Sequence, residues 1–177
     1  MYNIPFDPDD EGPLPLIGQD RLIYLQALEQ KILWLSTWII HHANHIRPND
    51  GQLKVGGHQA SCASMVTLMT ALYFSVLRPN DRVAVKPHGS PVFHAIQYVL
   101  GQQTQGHLER FRALGGAQSY PSRTKDADDV DFSTGSVGLG VAMTSFASLI
   151  QKFIETHGWK VDKGRMVAVV GDAELDE

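Results

Sequence analysis

Residues 166–177 read MVAVVGDAELDE, an uninterrupted apolar run that stops at a glycine and then turns acidic. A short apolar run bounded by a turn signal is typical of a strand that is buried on both faces, as in a parallel sheet. Ligands of such sheets collect beyond the carboxyl ends of the strands. The run therefore predicts a strand whose end carries Asp172 to a ligand-binding edge.

Buried strand and helix alternate along the rest of the chain. A short strand is predicted at 82–86, followed by the turn PHG and then a helix. Apolar residues recur at helical spacing in four further stretches, at 19–46, 60–77, 106–116 and 137–158. The third of these is expected to end at Gly115 and Gly116, which suit a helix C-cap. The alternation predicts an α/β fold, a parallel sheet with helices on both faces.

The first residues of the chain differ in composition from the remainder. Residues 1–18 are rich in proline and acid, which disfavours helix and strand alike, so we expect an extended arm. Residues 19–177 are expected to belong to one domain.

Composition narrows the classes of function. The 177 residues are 43% apolar and carry a formal net charge of −4, so the chain can bury a core and offers no basic face for nucleic acid. The single cysteine, Cys62, is expected to be a buried thiol, which fits a reducing compartment. We see no run of about 18 apolar residues and no apolar leader, and we expect a soluble, cytoplasmic protein without a membrane partner.

The end of the last predicted strand is the first candidate site. A carboxylate such as Asp172 is a hard oxygen ligand that suits Mg²⁺, and protein-bound Mg²⁺ usually bridges one or two carboxylates to substrate phosphates. A metal here would imply a diphosphate or nucleotide partner. The alternative is an acidic strand end that is simply solvated.

Two further motifs combine glycine with polar residues. The loop STGSVGLG at 133–140 precedes a helix, where backbone N–H groups can approach an anion, or where the glycines can serve only close packing. His58 in GGHQAS and His88 in KPHGSP each lie beside glycine, which leaves room for a ligand, although either could be a bonded loop histidine.

Taken in order, these motifs resemble the N-terminal part of the thiamine-diphosphate-dependent transketolase superfamily, and within it the homodimeric decarboxylating component of pyruvate dehydrogenase complexes. The strings that carry the resemblance span residues 56–177; they are GGHQAS, CASMVTLMTALYF, VKPHGSPVFHAIQYVLG, QSYPSR, STGSVGLG and VVGDAELDE. The resemblance implies the thiamine-diphosphate-binding fold for residues 19–177. It also implies two cofactors, thiamine diphosphate and Mg²⁺.

The resemblance further implies roles for single residues. Asp172 would ligate Mg²⁺, with Gly171 and Ala173 beside the diphosphate; Ala173 stands where the family motif commonly has a second glycine, which adds a methyl group at a tight place. His58 and His88 would be the catalytic histidines, His88 donating to the diphosphate with support from Ser61. The loop residues implied to bind the cofactor are Gly135, Ser136, Val137 and Gly138, with the Val137 backbone facing the aminopyrimidine.

The family's second metal ligand and the glutamate that activates the cofactor have no counterpart in this sequence. We therefore expect a fold that is incomplete at its C-terminal end, and a fragment or split subunit that is inactive alone. Its partners would be the remaining domains or a separate chain carrying the pyrimidine-binding domain, in an oligomer that acts on a small 2-oxo acid such as pyruvate. The alternatives are a transketolase, which transfers ketol groups between sugar phosphates, or a non-catalytic regulatory or assembly module.

Overall fold

A computed structural model describes residues 18–48, 54–160 and 162–176. Five α-helices and two strands are present in these residues. In chain order they are α1 (Gln19–His41), α2 (Gln59–Ala71), β1 (Arg82–Ala84), α3 (Ser90–Val99), α4 (Gln105–Glu109), α5 (Leu139–Thr156) and β2 (Met166–Ala168). A π-helical turn continues α1 over His42–Ile46 and another continues α2 over Leu72–Val76, so the predicted helices at 19–46 and 60–77 are confirmed to within a residue.

The two strands pair in parallel, as the sequence predicts. Val83 lies opposite Val167, and beyond the strands the Val169 N–H donates to the Ala84 carbonyl at 2.8 Å. Both strands are three residues long, shorter than the predicted 82–86 and 166–170. The described part of the chain is thus α/β with a small parallel sheet.

Side chains alternate across β1 and bring helices to both faces of the sheet. A Cβ atom placed on Gly140 of α5 would lie 3.2 Å from the Ala84 Cβ, so α5 packs closely on that face. Val83 and Val85 point the other way and join the apolar core, which they share with α1, α2 and α3. The largest buried apolar side chains of that core include Ile32, Ile39, Met69, Ile96 and Phe111.

A buried carboxylate ties the beginnings of the two strands together. Asp81 precedes β1, and its side chain accepts the backbone N–H of Arg165 at 2.7 Å and the Arg165 Nε–H at 3.0 Å. Because Arg165 immediately precedes β2, this contact fixes the strand register at the amino ends of the strands, opposite the candidate site.

The helix predicted at 106–116 is wrong in its length, because α4 ends at Glu109. Arg47 donates from Nη1 to the carbonyls of Glu109 and Phe111, at 3.3 and 2.8 Å. Arg112 then takes a positive φ of 60° and its N–H donates to the Ala117 carbonyl. These contacts from distant residues turn the chain before the glycines are reached.

Two other expectations meet the structure only in part. The predicted arm, residues 1–18, lies outside the described residues except for Gly18, the N-cap of α1. We expected no run apolar enough for a membrane, but Gln59–Val76 passes that test by length and composition alone. Core helices of soluble proteins pass the same test, and α2 packs on α1 and α3.

Candidate functional site

His58 and His88 come together although they belong to different elements. His58 is the N-cap of α2, and His88 lies in the single 3-10 turn Pro87–Gly89 between β1 and α3. Their ring centroids are 4.2 Å apart, with an angle of 42° between the ring planes. The structure therefore brings together the two histidines that the sequence singled out.

The loop before His58 is held from two sides. The Asn44 side chain, in the π turn after α1, donates to the Gly56 carbonyl at 2.9 Å and accepts the Gly56 N–H at 3.0 Å. Arg112 donates from Nη1 to the Val55 carbonyl at 2.9 Å. Gly56 and Gly57 both have positive φ, of 85° and 131°, which a side chain would strain. This loop sets the position of His58.

Positive groups surround the histidine pair. Partial burial lowers the pKa of His58, and the charges of His88, Arg112 and Lys86 lower it further. A corner with this electrostatic character suits an anion.

Cys62 lies next to the His88 backbone, with its Sγ 3.6 Å from the His88 carbonyl. It is fully buried, and burial raises the pKa of its thiol to about 12. The prediction of a buried thiol is confirmed.

The glycine loop docks on the end of β1. The buried Thr134 donates from Oγ1 to the Val85 carbonyl at 2.7 Å. Gly138 is the N-cap of α5 with a φ of 75°, and a Cβ atom added to it would lie 3.5 Å from the Glu174 carbonyl. Gly140 packs against Ala84, whereas a Cβ atom on Gly135 would meet open space. The glycines thus serve a left-handed turn and a close helix–strand contact.

The acidic motif after β2 turns back toward β1. Gly171 donates its N–H to the Glu174 Oε2 at 3.3 Å in the turn Asp172–Leu175, and a Cβ atom on Gly171 would lie 3.6 Å from the Lys86 Nζ. The other carboxylate oxygen of Glu174, Oε1, is buried with no hydrogen-bond partner among the described residues.

A narrow cleft, with room for about one water molecule, joins the ends of both strands to the glycine loop. Its lining residues are Val85, Lys86, Pro87, Thr134, Gly138, Gly140, Val141, Val169, Val170 and Glu174. The histidine pair does not line this cleft. Lys86 links the two regions, because it lines the cleft and its charge acts on His58.

The remaining predicted site residues lie near these motifs, and their roles stay predictions. Asp172 and Ala173 are exposed at the turn after β2, so the described residues do not crowd the Ala173 methyl. Ser61 is half-buried in the first turn of α2, and Val137 is half-buried in the glycine loop. The two other loop residues, Gly135 and Ser136, are exposed.

Sequence reasoning missed four residues of this region. Lys86 and Thr134 lie inside or beside motifs that were singled out, and a lysine directly before PHG was a visible signal of positive charge. Glu174 follows Asp172 closely but was not distinguished from it. Arg112 had no local signal, because only the folded chain brings it to Val55.

The residues present fit an anionic cofactor with a divalent metal. Lys86, His88 and the N-terminus of α5 can offer positive charge or N–H groups to phosphate oxygens. Asp172 is an exposed carboxylate at the same strand end, and the unbonded Glu174 oxygen shows that the region has unused acceptor capacity for a cation or its water.

Several known proteins are similar in sequence to this chain. The chain is 31% identical over 174 residues to a pyruvate dehydrogenase E1 component of Cupriavidus necator, a match that covers 93% of the chain and 19% of that protein. It is 27% identical to the transketolase of Homo sapiens, over 68% of the chain and 20% of that protein. It is also 30% identical to 1-deoxy-D-xylulose-5-phosphate synthase 1 of Geobacter sulfurreducens, over 69% of the chain and 17% of that protein.

No protein-family model matches the chain. The chain spans about a fifth of the length of the curated relatives that it matches. Those relatives are pyruvate dehydrogenase E1 components, transketolases and a deoxyxylulose-phosphate synthase, and with the motifs at 56–61, 133–140 and 169–177 they show that the chain belongs to the thiamine-diphosphate-dependent transketolase superfamily.

Proposed function

We propose that this chain is the diphosphate-binding part of a 2-oxo acid dehydrogenase E1 component that decarboxylates pyruvate and transfers the acetyl group. It acts together with further domains or a separate chain carrying the pyrimidine-binding domain, in an oligomer in the cytoplasm. Alone, the chain does not turn over substrate.

One observation carries this proposal. Three separated motifs, PHG after β1, STGSVGLG before α5 and GDAELDE after β2, meet at the carboxyl ends of two parallel strands. Ligands of parallel α/β sheets bind at that edge.

The choice of the dehydrogenase over a transketolase rests on the extent of similarity. The E1 components match 93% and 96% of the chain, whereas the human transketolase matches 68%. Similarity to the E1 components thus extends into more of the chain. Transketolase activity is the second candidate, supported by the similarity over the shared two thirds.

Each group of residues has a defined task in this proposal. Lys86, His88 and the N–H groups at the start of α5 would hold the diphosphate, and Asp172 would ligate Mg²⁺. Thiamine diphosphate, once bound, supplies an electron sink for cleaving the carbon–carbon bond next to a carbonyl. Cys62 and Met65 are buried in the first turns of α2, where the Cys62 Sγ lies 3.6 Å from the His88 carbonyl.

His58 is suited to proton transfer or hydrogen bonding at the entrance. Its lowered pKa leaves the imidazole neutral near neutral pH, so one ring nitrogen can accept a proton and the other can donate a hydrogen bond. Lys86 and Arg112 meanwhile place positive charge near His58.

Activity assays on the assembled protein that contains this chain test the proposal. With thiamine diphosphate and Mg²⁺, we expect release of carbon dioxide from pyruvate and no ketol transfer from a ketose phosphate. Ketol transfer without pyruvate decarboxylation would replace the proposal by the second candidate. Neither reaction and no binding of thiamine diphosphate would identify a non-catalytic module.

A further inference from the structure

His94 is a completely buried histidine on α3 with both ring nitrogens bonded. Its Nδ1 lies 2.8 Å from the Asp128 Oδ2, and its Nε2 lies 3.0 Å from the Gln118 carbonyl oxygen. A carboxylate and a carbonyl are both acceptors, so each nitrogen has to donate. His94 is therefore an imidazolium, a buried cation paired with Asp128.

The surroundings of His94 satisfy this ion pair. The second Asp128 oxygen accepts from the Gln103 Nε2 at 2.7 Å, and the Gln103 Oε1 in turn contacts the His107 Nδ1 at 2.8 Å. The titratable groups that face His94 are Asp128 and Asp126 from the loop and, through Gln103, His107 from α4. The rings of Phe93 and Phe111 close the remaining sides.

Asp126 adds a second negative charge next to this pair. Its carboxylate accepts the Gln118 N–H at 2.9 Å and the Ser122 N–H at 2.8 Å. Burial alone would lower the pKa of His94, but the hydrogen bond and charge of Asp128 and the charge of Asp126 outweigh it, so the pKa is raised. The protonated His94 thus stabilises two carboxylates of the loop, the buried Asp128 and the half-buried Asp126.

The same three side chains have metal-ligand spacing, with their ligand atoms within 4.8 Å of one another. A metal needs a lone pair on an imidazole nitrogen, however, and both nitrogens of His94 are donors. The protonated His94 supplies the positive charge at this cluster that a metal cation would otherwise supply.

The loop that His94 holds runs directly to the glycine motif. The Asp131 Oδ2 accepts the Val83 N–H at 2.8 Å, and Thr134 donates to the Val85 carbonyl at 2.7 Å. Arg82 and Ala84 bond toward β2, so Val83 and Val85 present their backbone groups on the opposite edge of β1. On that edge the side chains of Asp131 and Thr134 make the backbone hydrogen bonds that a neighbouring strand would otherwise make.

We propose that His94 is a positioning residue: as an imidazolium it fixes the loop 126–134 along the free edge of β1, and so places the glycine motif at 135–140 that opens α5. An effect of His94 on cofactor placement rests on the proposed function. Its effect on the loop is independent of that function, because all the contacts lie within this chain.

Amide hydrogen exchange on the full chain, without cofactor, tests the placement. The Asp128→Asn variant keeps the shape and an acceptor but removes the charge that retains the proton on His94. We expect protection factors of the Val83 and Thr134 amides to fall about tenfold or more at pH 8, the equivalent of one unit of pKa, while the Ile39 amide in α1 keeps its protection. The exposed neighbour Asp129→Asn is the matched control and should leave all three unchanged.

A titration of the wild-type protein keeps the proposal testable if Asp128→Asn does not fold. Protection of Val83 and Thr134 should be lost in step with deprotonation of the His94 ring, followed by NMR at alkaline pH. Unchanged loop protection in the variant, equal losses at Ile39, or a His94 ring that is neutral at pH 6 would overturn the proposal. A wild-type protein that binds no thiamine diphosphate would instead overturn the proposed function and leave this result standing.

Discussion

The imidazole rings of His58 and His88 lie 4.2 Å apart, centroid to centroid, although one precedes α2 and the other follows β1. Two rings at this distance resist carrying a proton at the same time. Burial first, and then the charges of His88, Arg112 and Lys86, lower the pKa of His58. The pair therefore favours a neutral His58 at pH values where a histidine with an ordinary pKa begins to charge.

Replacing His88 by glutamine should raise the pKa of His58 part of the way to its ordinary value, because burial remains. NMR titration of the His58 ring measures this. The wild-type protein should lose stability as pH falls through about 6.5, since the unfolded chain takes up the proton first, and the variant should lose less. His157→Gln, at the end of α5, is the control; a His58 titration that is the same in both variants contradicts the pairing.

Asp81 should be a major contributor to sheet stability. Its buried carboxylate accepts N–H groups of Arg78 and Arg165 as well as the Arg165 guanidinium, so Asp81→Asn should lower the free energy of unfolding by about 1–3 kcal/mol. The exposed pair of Lys163 with Glu155 is the control, and Lys163→Ala should cost less than about 0.5 kcal/mol. Denaturant unfolding of the three proteins decides; equal losses would contradict the assignment.

Acid should remove the contribution of Asp81. Burial alone would raise its pKa, but the hydrogen bonds from Arg165 and Arg78 and the Arg165 charge outweigh burial and lower it. The stabilisation is then fully present above the unfolded pKa of about 3.9 and is lost as pH falls through the lower folded value. The difference in stability between wild type and Asp81→Asn should shrink in that acid range, and a difference that is constant with pH would count against this account.

Gly138 should be required where Gly135 is not. Gly138 has a φ of 75° and faces the Glu174 carbonyl, so Gly138→Ala should destabilise the protein by about 1 kcal/mol and weaken cofactor binding. Gly135 has open space where a Cβ would stand, and Gly135→Ala should leave both unchanged. Thermal unfolding and cofactor titration of the two variants are the measurements; equal behaviour would show that the turn at Gly138 does not organise the site.

Cys62 should resist alkylation in the folded protein. Burial raises the pKa of its thiol to about 12, so almost no thiolate is present at pH 8. Iodoacetamide should modify it much faster in denaturant than in buffer, as mass spectrometry can follow. Rapid modification of the folded chain would show that the thiol is accessible and would contradict its burial.

Local patterns predicted most of the fold. The apolar run MVAVV indicates a buried strand, and the spacing of apolar residues at 19–46 and 60–77 indicates helices. These elements are present in the structure. The end of α4 could not be predicted, because Arg47 and Arg112 reach it from distant parts of the chain. Strand lengths were overestimated for a related reason, since an apolar run continues past the last ladder hydrogen bond.

The candidate site was predictable where a motif carries its own signal. Glycine beside histidine pointed to His58 and His88, which the fold brings into contact. Lys86, Thr134 and Glu174 were not identified, because their importance comes from the edge of β1 and from the turn after β2 rather than from their neighbours in sequence. No motif in the sequence distinguished His94, and only its two bonded nitrogens reveal the charge that it carries.

Calorimetric titration of thiamine diphosphate, with and without Mg²⁺, into the assembled protein that contains this chain tests the central claim most directly. We expect Mg²⁺-dependent binding in the wild type and in Asp162→Ala, an exposed acid outside the site, and binding weaker by about tenfold or more in Asp172→Ala. No Mg²⁺-dependent binding by the wild type, or equal affinity in the two variants, would contradict the claim that the strand end at Asp172 holds the metal and the diphosphate.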